Sequence, residues 1–126
     1  MSIYRTLLAL VVLAAAAVVR VPAGAAELVM FEKDGCGWCE EWHRTIAPIY
    51  PKTAEGRIAP LRRVDMNSPR PDDLAGISVG PYTPTFVLVD NGKEVGRITG
   101  YPGEDFFWGL LAQIVGKLGA NPAQQS

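Results

Sequence analysis

The chain has 126 residues, 48% of them hydrophobic, with 12 lysines and arginines against 13 aspartates and glutamates, two cysteines and one histidine. A formal charge of −1 excludes the strongly basic surface that holds nucleic acid and the polybasic segment that holds anionic lipid. The length suits one domain built around a single core.

Residues 1–26 read as an export signal. Arg5 supplies the positive start, Leu7 to Val19 is a 13-residue apolar run, and Ala23-Gly24-Ala25-Ala26 offers small residues for cleavage after Ala25 or Ala26. The run is short of the roughly 20 residues that span a bilayer, which argues against a retained anchor. Removing Arg5 and Arg20 leaves 10 basic against 13 acidic residues, a mature charge of −3. Export to an oxidising compartment, the periplasm, makes a disulfide between the two thiols permissible.

From Glu27 onward strands and helices alternate. Leu28 to Phe31 is a short apolar run that predicts a buried strand ending at the Asp34-Gly35 turn. A helix is expected to open at the cysteines and run through Glu40 to Ile49, with Trp42, Ile46 and Ile49 as its apolar stripe, a kink at Pro48 and an end near Pro51. A polar turn around Glu55-Gly56 precedes a second strand, Leu61 to Met66. Asn67 to Pro71 is a turn cluster, Asp72 to Ala75 one helical turn, and Gly76 to Pro81 a connection. Thr85 to Val89 has no polar alternation, so both its faces are expected to be covered, as in a central strand. Asn91-Gly92 predicts a type I′ hairpin turn returning through Glu94 to Thr99, with a bulge at Gly96. The last helix, Glu104 to Leu118, carries acids in its first turn, Lys117 in its last, and Phe107, Leu110, Leu111, Ile114 and Leu118 on one face. Residues 119–126 read as a disordered tail. The order β-α-β-α-β-β-α describes a small α/β domain over 27–118.

The chemistry concentrates in Cys36-Gly37-Trp38-Cys39, followed by His43. A cysteine at the mouth of a helix meets free backbone N–H groups and the positive end of the helix dipole, which stabilise its thiolate. Cys36 has that place, and Cys39 lies one turn on, within reach of a disulfide and better shielded. The spacing therefore makes Cys36 the attacking and Cys39 the resolving thiol. A passive staple is disfavoured, because a cross-link restricts the unfolded chain mainly through long loops and this loop is very short. The alternative is a copper-binding or copper-delivery module using Cys36, Cys39 and His43. Against it, structural zinc needs four ligands, and the chain has no further cysteine or histidine.

A C-x-x-C between a buried strand and a helix resembles the thioredoxin fold, and the resemblance covers Glu27 to about Leu118. It is carried by Leu28 to Phe31, by Cys36 to Cys39, and by Thr83-Pro84-Thr85-Phe86-Val87 with the Asn91-Gly92 hairpin and Gly100. Within that fold, Phe31 to Cys39 and Tyr50 to Arg57 are similar to the exported thioredoxin-like proteins of bacterial sulfur-oxidation clusters. The resemblance implies a thioredoxin-like central mixed four-stranded sheet flanked by helices, and a thiol-disulfide oxidoreductase whose dithiol needs no cofactor and no metal. It implies that Pro84 is cis beside the cysteines and that Thr83 and Pro84 bind an extended substrate segment through main chain. It further implies protein disulfide partners, a sulfur-oxidation carrier protein among them, and a membrane thiol-electron transporter as the source of electrons. One departure is that thioredoxin has a buried aspartate six residues before its first motif cysteine, where this chain has Met30. Glu32, on the same strand face by period-2 alternation, is the candidate proton acceptor for Cys39 in its place, against the simpler reading, which the sequence favours, of an exposed strand-end glutamate.

Trp38 is expected to be partly exposed at the substrate surface, and Trp42 and Trp108 to pack. Asp72-Asp73 and Glu104-Asp105 read as helix-start acids, and Arg62-Arg63 as a solvated strand face. Nothing resembles a phosphate loop, a nucleophilic serine site or a dinucleotide fingerprint.

Overall fold

The computed structural model describes residues 26–119. The expected signal segment, apart from Ala26, and the expected tail, apart from Gly119, lie outside the described residues. In chain order the elements are β1 (Ala26–Glu32), α1 (Gly37–Thr45), a 3₁₀ turn (Tyr50–Lys52), α2 (Ala54–Ile58), β2 (Leu61–Asp65), a second 3₁₀ turn (Asp72–Leu74), β3 (Thr85–Asp90), β4 (Lys93–Thr99) and α3 (Glu104–Gly119). The four strands form one sheet in the order β2-β1-β3-β4. β1 runs parallel to β2, with Met30 opposite Arg63, and antiparallel to β3, with Phe31 opposite Thr85.

Strand alternation sorts the apolar residues into two clusters. Leu28, Met30, Phe86 and Leu88 face α1 and α3 and pack with Cys36, Cys39, Trp42, Phe107 and Leu111. Val29, Phe31, Val87 and Val89 face the other way, where Leu74 and Ile77 from the connection after β2 cover them. All six residues of β3 are buried, as its unbroken apolar run requires. Asn91 and Gly92 both have positive φ, 52° and 77°, which is the hairpin turn the dipeptide predicts. The β3–β4 register shifts opposite Gly96, where Leu88 faces Gly96 and Val89 faces Glu94.

Three local expectations are corrected. α1 stops at Thr45, and the N–H groups of both Ile46 and Ala47 bond to the Trp42 carbonyl. Pro48 has no N–H and its ring opposes the carbonyl one turn back, so the chain leaves the helix before the proline. The stripe then ends with Ile46; Ile49 is exposed, and Tyr50 takes the buried place while its hydroxyl donates to the Ala59 carbonyl at 2.6 Å. Second, the turn around Glu55-Gly56 is the helix α2, whose first turn is capped by Thr53 Oγ1 accepting the Gly56 N–H at 3.0 Å. Third, Leu110 is exposed. At 100° per residue Phe107, Leu111, Ile114 and Leu118 cluster within about 60°, and Leu110 falls on the margin of that stripe.

Candidate redox site

The site is assembled where β1 hands over to α1. Gly35 takes a positive φ of 76°, which turns the chain after β1 and sets Cys36 as the extended N-cap residue of α1. Its sulfur accepts the backbone N–H of Cys39 at 3.1 Å. Cys36 and Cys39 form a disulfide with Cα atoms 5.2 Å apart. Both are largely buried, Cys36 at 7% exposure and Cys39 at 3%.

The Thr83–Pro84 bond is cis, as the resemblance implied. Pro84 is buried and directly precedes β3, whose first residue pairs near the end of β1, so the cis bond and the mouth of α1 stand at the same end of the sheet. The Pro84 carbonyl accepts the Gly100 N–H at 2.7 Å, with Gly100 at a φ of 82°. Two large side chains beside these segments point to solvent: Trp38, 64% exposed, and Tyr82, 68% exposed. A shallow hollow of about 420 Å³ lies against Gly37, Trp38 and Glu41. Trp42 and Trp108 do pack: Trp42 is fully buried against Phe86 and Phe107, and Trp108 stacks on Tyr50.

Met30, at the position of the family's acid, is fully buried within the cysteine-side cluster. Glu32 faces the same side and is only 14% exposed. His43 Nε2 lies 3.1 and 3.3 Å from its two carboxylate oxygens, and Arg63 donates to both through Nε and Nη2 at 2.7 and 2.8 Å. The Arg63 hydrogen bonds hold the Glu32 carboxyl below the ordinary carboxylate range, opposed by partial burial and aided by His43. This cluster was only partly legible in the sequence. Alternation puts Glu32 on the cysteine face and helical spacing puts His43 one turn after Cys39, but Arg63 joins them only through the parallel pairing of β1 with β2.

The ligands of the copper alternative are not gathered. His43 is turned to Glu32, and among the described residues no three His, Cys, Asp or Glu side chains form a group that could hold a metal ion. Arg62 and Arg63 are paired and not merely solvated: Arg62 bonds Asp73 and Glu27 on the opposite face of the sheet. Asp73, read as a helix-start acid, is thus an ion-pair partner. Among the described residues no helix is long and apolar enough to cross a membrane.

No protein-family model matches the chain, and no curated protein sequence does. Solved structures do. The reduced form of the periplasmic thioredoxin SoxS from Paracoccus pantotrophus is 48% identical, with a TM-score of 0.69, over 74% of this chain and 98% of that one. Thioredoxin from Fasciola hepatica is 27% identical over 71% of this chain and 81% of that one, with a TM-score of 0.55. Chlamydomonas reinhardtii thioredoxin f2, at 21% identity and a TM-score of 0.56 over 71% and 78%, shares the fold. Identity at this level, carried across almost the whole of a solved thioredoxin and joined to a C-x-x-C disulfide at a helix mouth, means that the chain belongs to the thioredoxin family and is a thiol-disulfide oxidoreductase.

Proposed function

We propose that the chain is an exported reductant of disulfides or mixed disulfides on partner proteins, with Cys36 as the attacking thiolate and Cys39 as the resolving thiol. The observation that carries this reading is the Cys36 sulfur at the N-cap of α1, accepting the Cys39 N–H at 3.1 Å. An anion there is stabilised by a backbone donor and by the helix dipole, so reduction of the disulfide leaves the negative charge on Cys36. Cys39 has the smaller exposure and reacts only with a sulfur already attached to Cys36. Thr83 and the cis Pro84 offer main-chain groups to an extended partner segment, with Trp38 and Tyr82 as apolar flanks.

Similarity to a periplasmic thioredoxin supports the periplasm as the compartment and residues 1–26 as the export signal. The partner proposed, from the resemblance to sulfur-oxidation thioredoxins, is a carrier protein whose cysteine must be kept reduced, with electrons drawn from a membrane thiol transporter. A Cys39→Ser variant incubated with periplasmic extract accumulates disulfide-linked adducts visible on non-reducing gels, and a Cys36→Ser variant does not. Equal trapping by the two variants overturns the assignment of roles.

A further inference from the structure

The dithiol leaves a proton unaccounted for. Cys39 must lose its proton before it attacks the mixed disulfide, and Met30 offers no base where the family has an acid. The cluster around Cys39 holds three polar side-chain atoms: the hydroxyls of Tyr50 and Tyr101, engaged with the Ala59 carbonyl and with Thr45, and the unpartnered indole N–H of Trp42, a donor that cannot accept a proton. On β1 and α1, the two elements that flank Cys39, Glu27 is bound by Arg62 on the opposite face, Glu40 is exposed and Glu41 is held by Arg44. That leaves Glu32 and His43.

We infer that His43 takes the Cys39 proton and that Glu32 is its positioning residue. The inference rests on the Cys36 and Cys39 roles proposed above. Glu32 is bound by Arg63 and His43 as an ionised carboxylate, which only accepts hydrogen bonds. The Nε2 of His43 must therefore carry the hydrogen it donates to Glu32, and in the neutral ring the lone pair is left on Nδ1. Helical side chains lean toward the N-terminus, so the ring at position 43 covers the turn that holds Cys39, four residues earlier. At that spacing the Cβ atoms are about 5–6 Å apart, which puts the two side chains on one patch of α1, and the proposed transfer from Cys39 Sγ to His43 Nδ1 runs through a water between them. The charged groups facing His43 are Glu32 from β1 and, through it, Arg63 from β2; on its own helix its charged neighbours are Glu40 and Arg44. A cleft of about 320 Å³ lined by Glu32, Lys33, Asp34, Arg63 and Asp65 opens the Glu32–Arg63 side of this cluster to solvent, and the His43 side chain is itself 25% exposed, which gives the proton an exit.

The steps balance. The Cys36 thiolate attacks the partner disulfide, and one partner sulfur leaves as a thiolate. Cys39 passes its proton through water to His43 Nδ1. The Cys39 thiolate attacks Cys36 Sγ, the bond from Cys36 to the partner breaks, and the second partner sulfur leaves as a thiolate. Two electrons have moved from the dithiol to the partner disulfide, and His43 returns the proton to solvent.

The test uses the reduced protein and stoichiometric dithiobis(nitrobenzoate), whose coloured thiolate is released once by Cys36 attack and once by Cys39 resolution. His43→Gln slows the second release by about 100-fold, at the low end of general-base effects, and removes the step in its pH profile, while the first release is unchanged. Glu32→Gln slows the second release less and keeps the step, because the imidazole remains. A second release in His43→Gln with the wild-type rate and pH profile overturns the inference. Should His43→Gln disturb the first release as well, Glu32→Gln decides, and a wild-type second release there overturns it. A first release that survives in Cys36→Ser defeats the role assignment itself, a separate failure.

Discussion

At the residue scale, Glu32 shows how one side chain acquires a role from its neighbours. Period-2 alternation places it on the cysteine face, where it looks like a substitute for the missing acid at Met30. Its hydrogen bonds to Arg63 and His43 turn it into a fixed anion, a poor proton acceptor but a firm anchor for an imidazole. Because its pKa is lowered on folding, its ionised form stabilises the folded state at pH values above the ordinary carboxylate value of 4.5, and that contribution is lost as pH falls through the lower folded value. The difference in Tm between wild type and Glu32→Gln is therefore expected to be full at neutral pH and to shrink in acid. Thermal melts of both proteins across that range check it, and a difference independent of pH contradicts the ion-pair reading.

At the scale of elements, the same substitution has opposite signs in two helices. A Cβ on Gly56 of α2 meets the Tyr50 carbonyl oxygen at 1.9 Å, a contact with backbone that cannot swing aside. Overpacking of this kind costs about 1–3 kcal/mol and outweighs the gain of up to about 1 kcal/mol from replacing a helical glycine with alanine. Gly116 of α3 has nothing within 4 Å of the same position, so only the helical gain remains. Gly56→Ala should lower the urea midpoint and Gly116→Ala should raise it. Thr53→Ala removes the side-chain cap of α2 and is expected to cost about 1 kcal/mol in the same assay. The sequence showed the turn residues here but not the helix, because five residues are too few for a periodic signal and α2 exists by capping and by packing against α3.

For the whole molecule, the functional question is the direction of electron flow. As a reductant the Cys36–Cys39 pair is expected to equilibrate near the thioredoxin value of about −270 mV, and a value near −120 mV would mark an oxidant. Equilibration of the folded protein with thiol-disulfide buffers, followed by tryptophan emission, decides between them. By itself the sequence determined the places of the four strands and of α3, the hairpin, the buried central strand and the redox pair, because each is written in local spacing: period 2 in strands, period 3.6 in α3, Asn-Gly for positive φ, and two residues between thiols at a helix mouth. The tertiary structure alone decided which distant residues meet. Arg63 reaches Glu32 across 31 positions, Arg62 finds Asp73 on the other face, and the connection after β2 supplies Leu74 and Ile77 as a lid for Val29 and Val87. Such pairings depend on strand register and on loop closure between remote segments, and neither leaves a mark in any short window of sequence.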